Sequence, residues 1–192
     1  MKEKISDQAL IKQYIQGNEA CLEMLITRHK SKIYTTIILI VNDTYIAEDL
    51  FQETFIKVIR TLKSGKYNEE GKFLPWIVRI ARNLAIDHFR KNKRMPMITS
   101  QDGEDIFRTF MVAEENKEES MIRNQKEETL RAIINMLPSE QKEVLVLRHY
   151  GDLSFKEIAK VTGVSINTAL GRMRYALNNM RKIIAEKSII LQ

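Results

Sequence analysis

Residues 153–181 carry the pattern that most restricts the fold of this chain, two helical segments separated by a glycine-containing turn. Gly163 lies where a tight turn needs a positive φ, after apolar residues at helical spacing (Ile158, Ala159, Val161). Ser165 then offers an N-cap oxygen to a second segment with three arginines, Arg172, Arg174 and Arg181. Because a helix-turn-helix places a basic second helix in a major groove, the pattern predicts nucleic acid as a partner.

The rest of the chain predicts an all-α protein. Its 192 residues include 7 glycines and 3 prolines, and few stretches alternate with a period of two. The hydrophobic fraction of 44% is enough for real cores, and the formal net charge of +6 fits a polyanionic partner. The single cysteine, Cys21, excludes an intrachain disulfide and a CxxC zinc site, so we expect it to pack as a small apolar residue.

Patterns typical of enzymes and of exported proteins are absent from the sequence. It contains no GxxxxGK, HExxH or GxSxG phrase, and its first residues lack an apolar signal core. The most apolar run, residues 33–41, has about half the length of a membrane span. We therefore expect no catalysis, no cofactor, no metal and no membrane insertion, and a cytoplasmic location.

Apolar periodicity and turn residues predict two small helical domains. Helices are expected at residues 7–16, 19–41, 44–62 and 73–90, with a loop over 64–71, and then at 123–136, 140–150 and the helix-turn-helix. From the fourth helix, Trp76, Ile77, Ile80, Leu84 and Phe89 are expected to face a core. Residues 99–128 hold nine acidic residues against four basic ones, so residues 95–122 are interpreted as an acidic linker between domains 1–94 and 123–192. Its apolar residues are candidates for docking on a domain or a partner: Phe107, Phe110, Met111 and Val112.

Three segments in a fixed order carry a resemblance to a known family. They are AEDLFQETFIKVIR (residues 47–60), FLPWIVRIARNLAIDHFRK (73–91) and LPSEQKEVLVLRHYGDLSFKEIAKVTGVS (137–165). Together they resemble the extracytoplasmic-function (ECF) group of bacterial sigma factors over nearly the whole chain. The resemblance implies a non-catalytic subunit that binds core RNA polymerase at its clamp and flap regions, recognises promoter DNA and helps to melt it. It also implies regulation by an anti-sigma factor.

The first segment is expected to bind protein rather than DNA. Asp49, Gln52, Glu53 and Ile56 recur at i, i+3, i+4 and i+7 and therefore share one helix face, opposite the apolar stripe. Carboxylates on this face would repel phosphates. The pattern alone favours an ordinary solvated face, whereas the resemblance implies docking on the polymerase clamp.

The second segment concentrates positive charge, with six basic residues and one acidic residue in residues 78–94. The resemblance implies that domain 1–94 is sigma region 2, which recognises the minus-10 element, and that the loop over residues 63–72 helps to hold a flipped base. Asp87 is expected to pair with a neighbouring arginine, and Trp76 is interpreted as core rather than as a base-stacking residue. The expected minus-10 contacts are Lys72, Arg79, Asn83, Arg90, Lys91 and Arg94.

The third segment begins domain 123–192, which the resemblance identifies with sigma region 4 and with reading of the minus-35 element. The expected contacts are Ser165, Thr168, Leu170, Gly171, Arg172, Arg174 and Tyr175. Three of them depart from the family: Leu170 replaces a basic residue, Gly171 a serine and Tyr175 an arginine. A leucine cannot pair with guanine as arginine does, although it can touch a thymine methyl group. The minus-35 sequence therefore cannot be taken from relatives.

Two other functions fit part of the sequence. A stand-alone helix-turn-helix regulator would use residues 1–94 for sensing or dimerisation, but the basic helix at 78–94 would then need a separate explanation. A protein-interaction module, such as a sigma mimic that sequesters a regulator, would not require two basic regions.

Overall fold

The computed structural model describes residues 5–68, 70–94 and 128–186, and these residues form helices and no strand. The helices are α1 (Asp7–Ile15), α2 (Glu19–Val41), α3 (Thr44–Lys63), α4 (Phe73–Arg94), α5 (described over residues 128–135), α6 (Ser139–His149), α7 (Phe155–Thr162) and α8 (Ile166–Glu186). The all-α prediction is confirmed. The chain divides into two compact units, of which one contains α1–α4 and the other α5–α8. The predicted linker lies outside the described residues.

Helix α2 is the central element of the first unit and packs against α1, α3 and α4. Leu25, Ile33 and Ile37 of α2 are fully buried, together with Leu62 of α3 and Ile77 of α4. Four helices therefore share one apolar core, and removal of that apolar surface from water stabilises the unit. Among the described helices, none is long and apolar enough to cross a membrane.

The turns between these helices form where the residue types predict them. Gly17, which follows α1, has a φ of 105°, and Asn42 ends α2 in the left-handed region with a φ of 55°. Asp43 then caps α3, because its carboxylate accepts a hydrogen bond from the Ile46 backbone N–H at 3.0 Å. Cys21 is buried as predicted, but its packing is not purely apolar, because its thiol donates a hydrogen bond to Oε1 of Gln13 at 3.2 Å.

The second unit presents most of its last helix to solvent. Ile134 of α5, Leu147 of α6 and Ile158 of α7 are fully buried. Helix α8 packs against α6 and α7, and its buried side chains are the small ones of Ala169 and Ala176. Small residues let α8 lie close to its neighbours while its larger side chains remain outside the core.

Helix α4 differs from its prediction in length and in the position of two aromatic residues. It continues to Arg94 rather than ending at residue 90. Phe89, which was expected in the core, is 40% exposed, because it lies five residues and about 140° around the helix from buried Leu84. Trp76 and Ile80 are half-buried rather than fully buried, whereas Ile77 is confirmed as core.

Candidate nucleic-acid and protein interfaces

One face of α3 is mixed in chemistry and open to solvent. Asp49, Gln52, Glu53 and Ile56 are all exposed, and the Ile56 side chain is 47% exposed. The buried residues of the helix, such as Leu50, Val58 and Leu62, lie on its other side. The structure therefore presents these four residues together, as their spacing predicts.

Tyr45 extends this face and was missed by the sequence analysis. It lies four residues before Asp49 and is 59% exposed. Residues 45, 49, 52 and 56 follow a helical i, i+4, i+7, i+11 spacing, so they form one stripe along α3. The spacing alone could have indicated Tyr45. The stripe has an aromatic residue near one end and an isoleucine near the other, with polar groups between them.

A second candidate surface is the outward row of α4. Arg79 is half-buried, and Asn83 and Arg90 are exposed at i+4 and i+11 from it, so the three residues share one face. Lys72 is exposed directly before α4, where its carbonyl oxygen accepts the Trp76 N–H at 3.0 Å. Lys91 is also exposed but is turned about 100° from Arg90. Arg94 is the last residue of α4, and its side chain lies outside the described residues.

Neighbouring side chains contact this row, and one carboxylate among them pairs with Arg90, but the row keeps a net positive charge. Arg82 donates from Nη1 to Oδ1 of Asn83 at 3.5 Å. Asp87 lies 3.6 Å from Arg90, which confirms that Asp87 pairs with an arginine. Both side chains of that pair are about three-quarters exposed, so solvent screens their attraction. The outward row of α4 remains basic.

An aromatic cluster joins the preceding loop to the start of α4. The ring centroids of Tyr67 and Trp76 are 4.5 Å apart, and both rings lie within about 6 Å of Phe73. Trp76 is therefore half-buried, and part of its cover comes from the loop rather than from the helical core. The sequence analysis missed Tyr67, although it is the one aromatic residue of the polar loop over residues 64–71. Tyr67 anchors this loop beside Lys72, at the end of the basic row.

The start of α8 uses two of the predicted DNA contacts as a cap. Gly163 ends α7 with a φ of 73°, as the predicted turn requires. The Ser165 hydroxyl accepts a hydrogen bond from the Thr168 backbone N–H at 3.0 Å, and the two hydroxyl groups lie 2.9 Å apart. The predicted N-cap is confirmed. Ser165 and Thr168 are exposed but already hydrogen-bonded to each other.

Arg172 lies three residues after Ala169 and four before Ala176, so it shares the helix side of these buried alanines rather than the outward face of α8. The pKa of Glu140, at the start of α6, is held below its usual value mainly by its own backbone N–H and by the Ser139 hydroxyl, and the positive charge of Arg172 adds to this effect. Arg172 is half-buried, in contrast to Arg174, which is exposed. The structure thus separates two arginines that the sequence places two residues apart.

The outward face of α8 contains a polar residue that the sequence analysis missed. Asn167 is exposed in the first turn and lies four residues before Gly171 and seven before Arg174, so the three share one face. Leu170 and Tyr175 are 45% and 63% exposed on the two sides of this row. Within residues 128–186, the side chains of Asn167 and Arg174 make no hydrogen bond or ion pair.

These surfaces lie in segments that match known sequence families and structures. Residues 25–95 match the family described as Sigma-70 region 2, and residues 127–177 match Sigma-70, region 4. The chain is 30% identical to the RNA polymerase sigma-H factor of Pseudomonas aeruginosa over 171 residues, covering 87% of this chain and 88% of that protein. It is 27% identical to the ECF sigma factor SigW of Bacillus subtilis, covering 90% of this chain and 93% of that protein.

Two solved structures share the fold at lower identity. CnrH, solved in complex with the cytosolic domain of CnrY, is 20% identical with a TM-score of 0.63, over 95% of this chain and 99% of that one. The sigma factor RpoE of Bartonella quintana, solved with the anti-sigma factor NepR, is 18% identical with a TM-score of 0.62, over 85% of this chain and 96% of that one.

Proposed function

The chain belongs to the ECF group of RNA polymerase sigma factors, and from that premise we propose how its surfaces divide the work of promoter-specific transcription initiation. As a sigma factor it directs core RNA polymerase to promoters. A stand-alone helix-turn-helix regulator is not favoured, because regions 2 and 4 both match, in the family's order. The role is that of an initiation factor, and we propose that the chain has no catalysis of its own and acts in the cytoplasm.

The proposed division of the chain has three parts. Residues 1–94 act as region 2, residues 95–122 as a linker and residues 123–192 as region 4. The two compact units and the two family matches support this assignment. One chain therefore supplies separate surfaces to the polymerase, to the minus-10 element and to the minus-35 element.

The mixed face of α3 is the proposed contact with the polymerase clamp. Its carboxylates disfavour a nucleic-acid partner, and exposed Tyr45 and Ile56 supply apolar area that a protein surface can cover. A docking face of this kind gains affinity from its apolar ends and orientation from the polar groups between them. The flap region of the polymerase is the proposed contact of residues 123–192.

The basic row of α4 is the proposed contact with minus-10 DNA. Lys72, Arg79 and Arg90 supply cations along one face, as a strand of phosphates requires. The anchored loop before α4 lies at the end of that row and is the proposed site of base capture during melting. Asn83, in the middle of the row, is placed to hydrogen-bond to a base or to the backbone.

Helix α8 is the proposed reader of the minus-35 element, since it carries four basic residues, among them exposed Arg174, and belongs to a helix-turn-helix. An anti-sigma factor is a proposed regulator of this chain. The support is the fold likeness to RpoE, which was solved with one.

The observation that carries this proposal is the presence of two basic helices with exposed cations in separate units, together with a third face that is unsuited to DNA. Run-off transcription with purified core polymerase tests it. We expect specific transcripts from some genomic templates only when the chain is added. Tight duplex binding by the chain alone, with no promoter-specific initiation on any template, would refute the proposal.

A further inference from the structure

Gly171 is a costly residue that the fold itself does not require. It lies inside α8, where glycine is less favourable than alanine by up to about 1 kcal/mol. Its φ is not positive, and a β-carbon added to it meets no atom within 4 Å. Neither backbone conformation nor packing in the free protein explains the glycine. The missing side chain leaves a notch on the outward face of α8.

The notch has an apolar wall. Leu170 is adjacent to Gly171 in the sequence, about 100° around the helix from it, and is 45% exposed. An exposed leucine gains free energy when an apolar group covers it. In a major groove the apolar group on a base edge is the C5-methyl group of thymine.

Hydrogen-bonding side chains lie on both sides of the notch. Asn167 is one turn before Gly171, and Arg174 is about one turn after it. Asparagine pairs with the edge of adenine, and arginine pairs with the edge of guanine. Helix α8 carries four basic residues and no acidic residue before Glu186, so its charge fits DNA as the occupant of this face.

We propose that the notch at Gly171, walled by Leu170, receives the methyl group of a thymine in the minus-35 element, between an adenine read by Asn167 and a guanine read by Arg174. The inference rests on the proposed role of α8 in reading that element. It assigns Asn167 as a specificity residue. It also explains by one contact, with a thymine methyl group, why Leu170 and Gly171 differ from the residues usual in the family. A serine or a longer residue at position 171 would fill the space that the methyl group occupies.

The test is selection from a promoter library randomised in the minus-35 region, transcribed by core polymerase with the full chain. We expect the wild type to select an element that contains adenine, thymine and guanine. Leu170→Ala is expected to lose the preference for thymine at one position, and Asn167→Ala the preference for adenine at another. Leu177→Ala is the matched control, because Leu177 is similarly exposed but lies two turns further from the start of α8.

Two further measurements distinguish loss of the methyl contact at Gly171 from unfolding of the variant protein. Replacing the selected thymine by uracil, which lacks only the methyl group, should weaken promoter binding by the wild-type holoenzyme about three- to fourfold. The same replacement should leave promoter binding by the Leu170→Ala holoenzyme unchanged. Gly171→Ala should raise the melting temperature of the chain while it loses the thymine preference. A loss of selectivity in a more stable protein cannot be attributed to unfolding.

Equal binding to the thymine and uracil promoters, or an unchanged thymine preference in Leu170→Ala, would overturn the inference. If Arg174→Ala still alters the selected element in that case, α8 reads the minus-35 element by another arrangement. If no substitution on the outward face of α8, including Arg174→Ala, changes the element, the proposed function of α8 fails as well.

Discussion

Arg172 and Arg174 illustrate how the direction of a side chain decides what a charged residue does. Two residues along a helix correspond to a rotation of about 200°, so neighbouring arginines of this kind face nearly opposite sides. Arg172 is half-buried on the side of the buried residues Ala169 and Ala176, whereas Arg174 is exposed on the other side of α8. The residue type alone assigns both to DNA, but the structure favours that role for Arg174.

Arg174→Ala is therefore expected to reduce minus-35-dependent transcription by roughly fivefold or more, because a bidentate arginine–guanine contact contributes about 1–3 kcal/mol. Arg172→Ala should have a much smaller effect on promoter choice. Run-off transcription from a promoter with an intact or a scrambled minus-35 element measures both. Equal losses for the two variants would show that Arg172 also reaches the DNA.

At the scale of the element, α3 and α4 are amphipathic helices with different outward chemistry. The exposed face of α3 combines carboxylates with Tyr45 and Ile56, and that of α4 combines cations with an amide. Both helices use their other faces to build the same core. Substitutions on the outward faces are thus expected to change binding while the fold is retained.

For α3, replacing Asp49, Gln52 and Glu53 together by alanine should weaken binding to core polymerase and leave the melting temperature nearly unchanged. Tyr45→Ala should also weaken binding, since Tyr45 continues the same stripe. Glu23→Ala, which removes an exposed carboxylate from α2, is the control and should bind normally. A large fall in the melting temperature of the triple variant would instead show that the face is structural.

For α4, Arg79→Ala and Asn83→Ala should impair open-complex formation more than initial promoter binding, because the row they occupy is the proposed path of the melted strand. Permanganate reactivity of unpaired thymines measures opening, and a mobility shift with duplex promoter measures initial binding. Lys30→Ala removes an exposed cation from α2 and serves as the control. Equal effects on both steps would contradict a role in melting.

Much of each element follows from local sequence, and the two misplaced aromatic residues of α4 differ from their predictions for different reasons. The turns at Asn42 and Gly163 and the cap at Ser165 were predictable because each needs only neighbouring residues. Phe89 was assigned to the core because apolar residues usually are, whereas its angle around α4 points it to solvent. The coverage of Trp76 by Tyr67 depends on how a loop folds back on its helix, which no periodicity encodes.

The two compact units each contain one helix with exposed cations, α4 in the first and α8 in the second. Each helix presents only a few cations, and a few phosphate contacts give weak binding that falls steeply with salt. Specific affinity then requires both helices to act on the same promoter. In the proposed function, core polymerase binds both units and so allows both helices to contact the same promoter.

The isolated chain should accordingly bind promoter duplex weakly and lose that binding between about 50 and 200 mM salt. With core polymerase it should form a promoter-specific complex that survives the same range. Mobility shifts across a salt series, with a scrambled promoter as the control template, measure the difference. Salt-resistant, sequence-specific binding by the chain alone would favour an independent regulator.

Trp76 is the only tryptophan in the sequence, and it lies against the ring of Tyr67 in the loop proposed to capture a base. Indole emission depends on what surrounds the ring, so any event that lifts the loop from α4 should change the intrinsic fluorescence of this protein. A base that stacks on the cluster should quench it. The chain thus carries its own optical reporter, which allows the capture of a short single-stranded minus-10 oligonucleotide to be followed in real time without a label.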